Sequence, residues 1–239
     1  MIPTNDAHIT LMNYDDPLEW AQSVTRELEN ILLQEITQRG RASLLLSGGT
    51  TPALVYETLA TRPLDWSKID IGLVDERWLS PQDKDSNAWL VRHTLLEHAK
   101  HATFLPLIRP GKTLNQCVHD ANLQITHSPP PCAVVLGMGN DGHTASLFPG
   151  SLDLQKAINT PQPYVALDAT GCPGAGVWPL RITLTPAGLN NIPHRLLLLR
   201  GKQKLKVLET ALSCKDALDY PIRTAIDLPN ARLRVHWCA

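Results

Sequence analysis

Ala133-Val134-Val135-Leu136 runs without a break into Gly137-Met138-Gly139-Asn140-Asp141-Gly142-His143. The apolar quartet fits a strand covered on both faces. Glycines 137, 139 and 142 then have the G-x-G-x-x-G spacing of a dinucleotide site. Such a site needs a helix running on from the glycines, but Pro149-Gly150 leaves only about one turn after His143, against a typical three turns or so. Asp141 would also stand close to a pyrophosphate and repel it. The glycines therefore read as backbone brought up to a small substrate, with His143 working on it. Histidine is the natural general base near neutral pH, and an adjacent carboxylate such as Asp141 fixes its tautomer or raises its basicity.

Outward from this strand, further apolar runs read as buried strands: Ser43 to Leu46, Ile69 to Val74, Ile182 to Leu184 and Leu196 to Leu199. Between them lie helical segments. One starts at Asp16-Pro17 and closes near Gly40; others run from Pro52 to Ala60, Ser86 to His98 and Lys202 to Leu212. Strand and helix alternating along the chain predict an α/β fold, a mainly parallel sheet with helices on both faces. Ligands in such folds gather beyond the carboxyl ends of the strands. The stretch from Thr160 to Pro179, with four prolines and three glycines, reads as a loop or small excursion. No linker divides the chain, so residues 1–239 read as one domain, with a small lobe or excursion around 151–180.

The 239-residue total permits a single sizeable core, and 43 % hydrophobic with 19 % charged residues is ordinary globular composition. A net charge of -1 without runs of like charge gives no footprint for nucleic acid or an anionic membrane. The partner expected is a small molecule. Met1 to Asp6 carries no basic or apolar leader pattern, and no apolar run approaches the roughly 20 residues of a bilayer span, so a cytoplasmic location is expected. Five scattered cysteines, with no C-x-x-C pair, read as reduced structural thiols.

Two more strand ends carry chemistry. Ser47-Gly48-Gly49-Thr50-Thr51-Pro52 stands between a strand and a helix. Its glycines let backbone amides close on an anion, its hydroxyls add donors, and the helix dipole favours phosphate. It lacks the lysine of a nucleotide P-loop, which points to a phosphorylated metabolite. A tight turn with no ligand explains the same residues, and the segment alone does not separate the two. Asp75-Glu76-Arg77 offers a carboxylate for proton handling and a guanidinium for an oxygen or phosphate, although taken alone a solvated ion pair accounts for it better. Neither Ser47 nor Ser146 sits in G-x-S-x-G, which argues against a serine hydrolase. His98 and His101 lie close together at a helix end, but no third metal ligand is evident.

In this order the segments resemble the 6-phosphogluconolactonase family, part of a wider group that includes glucosamine-6-phosphate deaminase. The matching pieces are Ser47 to Pro52, Asp75-Glu76-Arg77 with Ser86-Asn87, Gly137 to Gly150, Arg181 to Thr185, and Gly201-Lys202-Gln203-Lys204 opening a helix. The resemblance implies hydrolysis of 6-phosphogluconolactone to 6-phosphogluconate, the second step of the oxidative pentose phosphate pathway, without metal or organic cofactor. It implies a three-layer, Rossmann-like fold of the deaminase, ribose-5-phosphate isomerase and CoA-transferase kind; a monomer or weak homodimer is expected.

Carried over, His143 resembles the base that activates water. Asp75 and Asp141 are its candidate supporting carboxylates. Ser47, Gly48, Gly49, Thr50 and Thr51 resemble the phosphate site, with Gly139 and Asn140 beside the substrate. Arg77, Arg181 and Lys204 resemble the cations around phosphate or oxyanion. The deaminase motif has a glutamate for ring opening where this chain has Phe148, and a tyrosine where it has Arg77. Both differences favour the lactonase.

Overall fold

A computed structural model describes residues 9–229 and 232–239. Met1 to Asp6, read above for a leader, lies outside them. Strand β1 (Ile9–Tyr14) leads into α1 (Pro17–Arg39), whose ends are written locally. The Asp16 carboxylate accepts from the Glu19 amide at 2.7 Å, and Gly40 closes the helix at φ 79°. Trp20, Val24, Leu28 and Leu32 recur every fourth residue, and this stripe is buried.

Next come β2 (Ala42–Leu46), α2 (Ala53–Ala60), β3 (Ile69–Leu73), β4 (Asp75–Arg77), α3 (Asn87–Val91, continued by a π turn at Arg92–Leu96) and β5 (Thr103–Leu105). They are followed by α4 (Leu114–His127), β6 (Ala133–Leu136), α5 (Leu154–Asn159), β7 (Tyr164–Asp168), β8 (Leu180–Leu184) and α6 (Pro186–Leu189). The chain ends in β9 (His194–Arg200), α7 (Lys202–Ser213), α8 (Arg223–Ile226) and β10 (Leu233–Cys238). Among the described residues no helix is long and apolar enough to cross a membrane.

Seven strands form one sheet in the order β1-β10-β9-β6-β2-β3-β5, and every pairing in it is parallel. From β2 the chain steps outward through β3 to β5. It then returns to β6 and steps the opposite way through β9 to β10. Right-handed crossovers on these two arms carry their helices to opposite faces, giving the α/β layering expected from the sequence. The reversal falls between β2 and β6, and the crevice it leaves at their carboxyl ends is where such folds bind ligands.

Three readings of the sequence need correction. Ile182 to Leu184 is not in the parallel sheet: β8 pairs antiparallel with β4 and β7 in a separate three-stranded sheet. Asp75-Glu76-Arg77, read as the end of the Ile69 to Val74 strand, forms a strand of its own, β4. The chain changes sheet at Val74, whose amide donates to Leu46 O of the main sheet (2.9 Å) while its carbonyl accepts from the Leu184 amide (2.8 Å). Lastly, the stretch from Thr160 to Pro179 contains β7, and Leu147, Phe148, Leu154, Leu167 and Cys172 beneath it form a second apolar cluster. Its prolines flank β7 and leave the strand unbroken.

Candidate active site

Four parallel strands deliver the site residues from the same edge. Ser47 to Pro52 follows β2, Val74 to Arg77 follows β3, Gly137 to His143 follows β6, and Gly201 to Lys204 follows β9. They surround a cavity of about 250 Å³. Ser47, Gly48, Gly49, Thr50 and Thr51 form one wall; Asp75 and Arg77 come from β4; Gly139 and His143 come from the loop after β6; Arg181 comes from β8 and Lys204 from α7. Asp141 stands behind His143. Asn140 is the residue that departs from expectation, because it is exposed and borders a different depression with Gln203 and Lys206.

The loop after β6 is pinned along its length. Thr144 Oγ1 donates to Gly137 O (2.9 Å), the Gly139 amide to His143 O (2.9 Å), and the Ile222 amide to Gly142 O (2.9 Å). Gly142 takes φ 81° with its Cα against the Tyr220 ring, so a side chain there would be both strained and crowded. The turn puts His143 Nδ1 2.6 Å from Asp141 Oδ1, which also accepts the His143 amide at 3.2 Å. Burial raises the Asp141 carboxyl, but the hydrogen bond and charge of His143 outweigh it and hold the group below the usual aspartate value. An ionised carboxylate only accepts, so Nδ1 carries the proton of this hydrogen bond. On its other side the imidazole meets the Phe148 ring, centroids 4.5 Å apart.

On the opposite wall, Asp75 is buried and both its oxygens are engaged. Ser146 Oγ donates to Oδ2 at 2.5 Å and Asn87 Nδ2 to Oδ1 at 3.1 Å. Ala145, just before Ser146, is the described non-glycine residue with positive φ, 50°. That strain accompanies the turn that aims Ser146 at Asp75. Glu76 points away from the cavity and caps α3, accepting from the Asn87 and Ala88 amides, each at 2.8 Å. Burial pushes its carboxyl up, against the hydrogen bonds that favour its charge.

Gly48 lies so close to Asn87 that an added Cβ would fall 1.8 Å from Asn87 Oδ1. Tyr56 Oη fixes the Ser47 carbonyl at 2.8 Å, whereas the buried Ser47 Oγ has no protein hydrogen-bond partner. Lys204 Nζ donates to Met138 O; burial lowers its pKa and the Asp141 carboxylate opposes that shift. Arg77 donates to Asp85 O. Arg181 donates to Trp178 O (2.6 Å) and Ala175 O (2.7 Å), with its guanidinium carbon 5.3 Å from the Phe148 ring centroid.

Asn87 and Gly174 belong to the site without having been singled out by residue chemistry. Asn87 appears in the sequence only as part of Ser86-Asn87. Gly174 comes from the glycine- and proline-rich excursion, and an added Cβ there would fall 2.4 Å from Asp141 Oδ2 and 3.1 Å from His143 Nδ1.

Fold and site together define an α/β protein with a histidine–aspartate pair facing a glycine-walled cavity ringed by cations. Residues 15–237 match the family of glucosamine-6-phosphate isomerases/6-phosphogluconolactonase, and the chain belongs to that family. It is 95 % identical over 239 residues to a 6-phosphogluconolactonase of Xylella fastidiosa (strain 9a5c), covering 100 % of both chains. To a 6-phosphogluconolactonase of Pseudomonas aeruginosa it is 37 % identical, over 97 % of this chain and 95 % of that one. The crystal structure of a 6-phosphogluconolactonase from Shewanella baltica OS155 superposes with a TM-score of 0.87 at 36 % identity, covering 96 % of this chain and 97 % of that chain.

Proposed function

We propose that this chain hydrolyses 6-phospho-D-glucono-1,5-lactone to 6-phospho-D-gluconate, with His143 as general base. The observation that carries the reading is the Asp141–His143 hydrogen bond of 2.6 Å, which leaves Nε2 free on a cavity that the Ser47 to Thr51 loop shares with Arg77, Arg181 and Lys204. The names of the relatives agree with it.

Nε2 takes a proton from water as the water oxygen bonds to the lactone carbonyl carbon. The carbonyl electron pair moves onto oxygen, giving a tetrahedral oxyanion. On its collapse the bond from that carbon to the ring oxygen breaks, and the imidazolium returns its proton to the leaving alkoxide. The new carboxylic acid then ionises. Asp141 stabilises the transient imidazolium and fixes the tautomer, and the cations stabilise developing negative charge.

The Ser47 to Thr51 loop takes the phosphate. Its backbone is glycine-open at Gly48 and Gly49, and Ser47 Oγ is a buried donor that no protein group uses. A buried hydroxyl of that kind is well matched by a ligand oxygen. Lys204, in the first turn of α7, supplies charge from the end of β9, on the far side of β6 from β2. Phe148, packed on the histidine, has no proton to transfer, which argues against ring-opening isomerisation.

The test is the disappearance of freshly prepared lactone, followed against its spontaneous hydrolysis. Acceleration supports the proposal, and a rate equal to the blank refutes it.

A further inference from the structure

The Gly174 turn lies against the Asp141–His143 pair, and Arg181 grips that turn from beneath. The Arg181 guanidinium is buried, at 4 % exposure, and it bonds to two carbonyls of one short segment, Ala175 O at 2.7 Å and Trp178 O at 2.6 Å. Phe148 fills the space between them: its ring touches His143 on one side and Arg181 on the other. At Gly174 even a methyl group would collide with Asp141 Oδ2. The segment between Ala169 and Pro179 is also held by turn hydrogen bonds, by Trp178 Nε1 donating to Asp85 Oδ2 at 2.8 Å and by Cys172 and Ala175 in the second apolar cluster, with Gly171 and Gly176 at positive φ; Arg181 ties its carbonyls at Ala175 and Trp178.

We infer that Arg181 is a positioning residue, which through Ala175 and Trp178 holds the Gly174 backbone over the Asp141–His143 hydrogen bond and so keeps His143 in its Nδ1–H tautomer. The sequence resemblance cast Arg181 as a cation for substrate. Its Nε and Nη2 donate to the protein's own main chain, although the residue also lines the cavity. A cover without a side chain shields one side of the partly exposed pair while leaving room for the carboxylate, which is what glycine at 174 permits. In a half-buried site, water competing for Asp141 would weaken its hold on the ring.

The inference rests on the proposed role of His143, but its first readout needs no substrate. Ring-nitrogen resonances of isotope-labelled histidine, assigned with His143→Gln, report the tautomer directly. The wild-type protein is expected to show a protonated Nδ1 and an unprotonated Nε2. Gly174→Ala presses on the Asp141 carboxylate and on His143 Nδ1, and it and Arg181→Lys are each expected to shift His143 toward mixed tautomers. The exposed Val177→Ser is the control and leaves the resonances unchanged.

In the lactone assay kcat should fall by up to about 10²-fold in both variants, the scale of a misplacement near 1 Å, while KM stays within about threefold. Should Arg181→Lys keep the wild-type resonances and lose activity through KM alone, Arg181 is a substrate cation and the inference is overturned. A mixed tautomer in the wild-type protein overturns it too. Failure of wild-type hydrolysis would refute the lactonase reading alone, because the resonances would still decide the role of Arg181.

Discussion

Arg77 and Arg181 stand directly opposite each other in the antiparallel pair of β4 and β8. Like charges so placed repel, and the proximity of Arg77 works, after burial, to lower the pKa of Arg181. Asp75, on the same strand as Arg77, opposes this shift more strongly than Arg77 adds to it, leaving burial as the main cause of the lowering. An anion in the cavity offsets more, which ties ligand binding to the stability of the second sheet.

Binding of 6-phosphogluconate should therefore raise the thermal midpoint, by the equivalent of about 2.7 kcal/mol at a hundredfold excess over Kd. Arg77→Gln should lose most of that rise while unfolding at or above the wild-type temperature without ligand. Thermal scans with and without product check this; an undiminished ligand shift in Arg77→Gln would show that the guanidinium does not face the anion.

Gly48→Ala tests how tightly the Ser47 loop is seated. The new methyl group would meet Asn87, whose amide is committed to Asp75 O at 2.8 Å and Oδ1 at 3.1 Å and cannot swing aside freely. Overpacking of this kind costs about 1–3 kcal/mol, to be read from urea midpoints. A neutral substitution would mean that the loop shifts to make room.

Ser146→Ala removes the donor to Asp75 Oδ2 and leaves a buried carboxylate oxygen with no protein partner. The expected loss is about 1.5–3 kcal/mol, the range for hydrogen bonds to charged groups. Equilibrium unfolding measures it, and a loss below about half a kcal/mol would mean that water replaces the hydroxyl.

Acid should weaken the Asp141–His143 pair in a defined direction. Because the folded protein holds the Asp141 carboxyl below its ordinary value of 3.8, the stabilisation is fully present above that value and is lost as pH falls through the lower, folded-state value. The stability difference between wild type and Asp141→Asn should accordingly be constant at mildly acidic pH and shrink below pH 3.8. A difference that widens with acid would contradict the sign of the shift.

Much of the layering was legible in the sequence because α1, β2, β3, β6, β9 and α7 announce themselves through buried apolar runs, Asp16-Pro17 and Gly40. β1 and β10 were missed: Ile9 to Tyr14 and Leu233 to Cys238 mix polar with apolar residues, as a strand at or near a sheet edge does. α4 was missed although Thr113 and Gln116 form a capping box. The second sheet was hidden because β4 is three charged residues long and is held by backbone pairing to β8, a partner far along the chain.

In the site, side chains with chemistry of their own, such as His143, Arg77 and Lys204, stand out in sequence. What Gly174, Asn87 and Phe148 contribute depends on which residues they touch, and only tertiary structure decides that. Asn140 shows the converse, since a polar residue between two cavity-lining neighbours can still face outward.

The central claim is that His143 removes the proton from water, and the most direct measurement is kcat for lactone hydrolysis by the wild-type protein and by His143→Ala, each corrected for the spontaneous rate. A fall of roughly 10²–10⁴-fold, with the fold intact, is the result expected for loss of a general base. Full activity in His143→Ala would contradict the account.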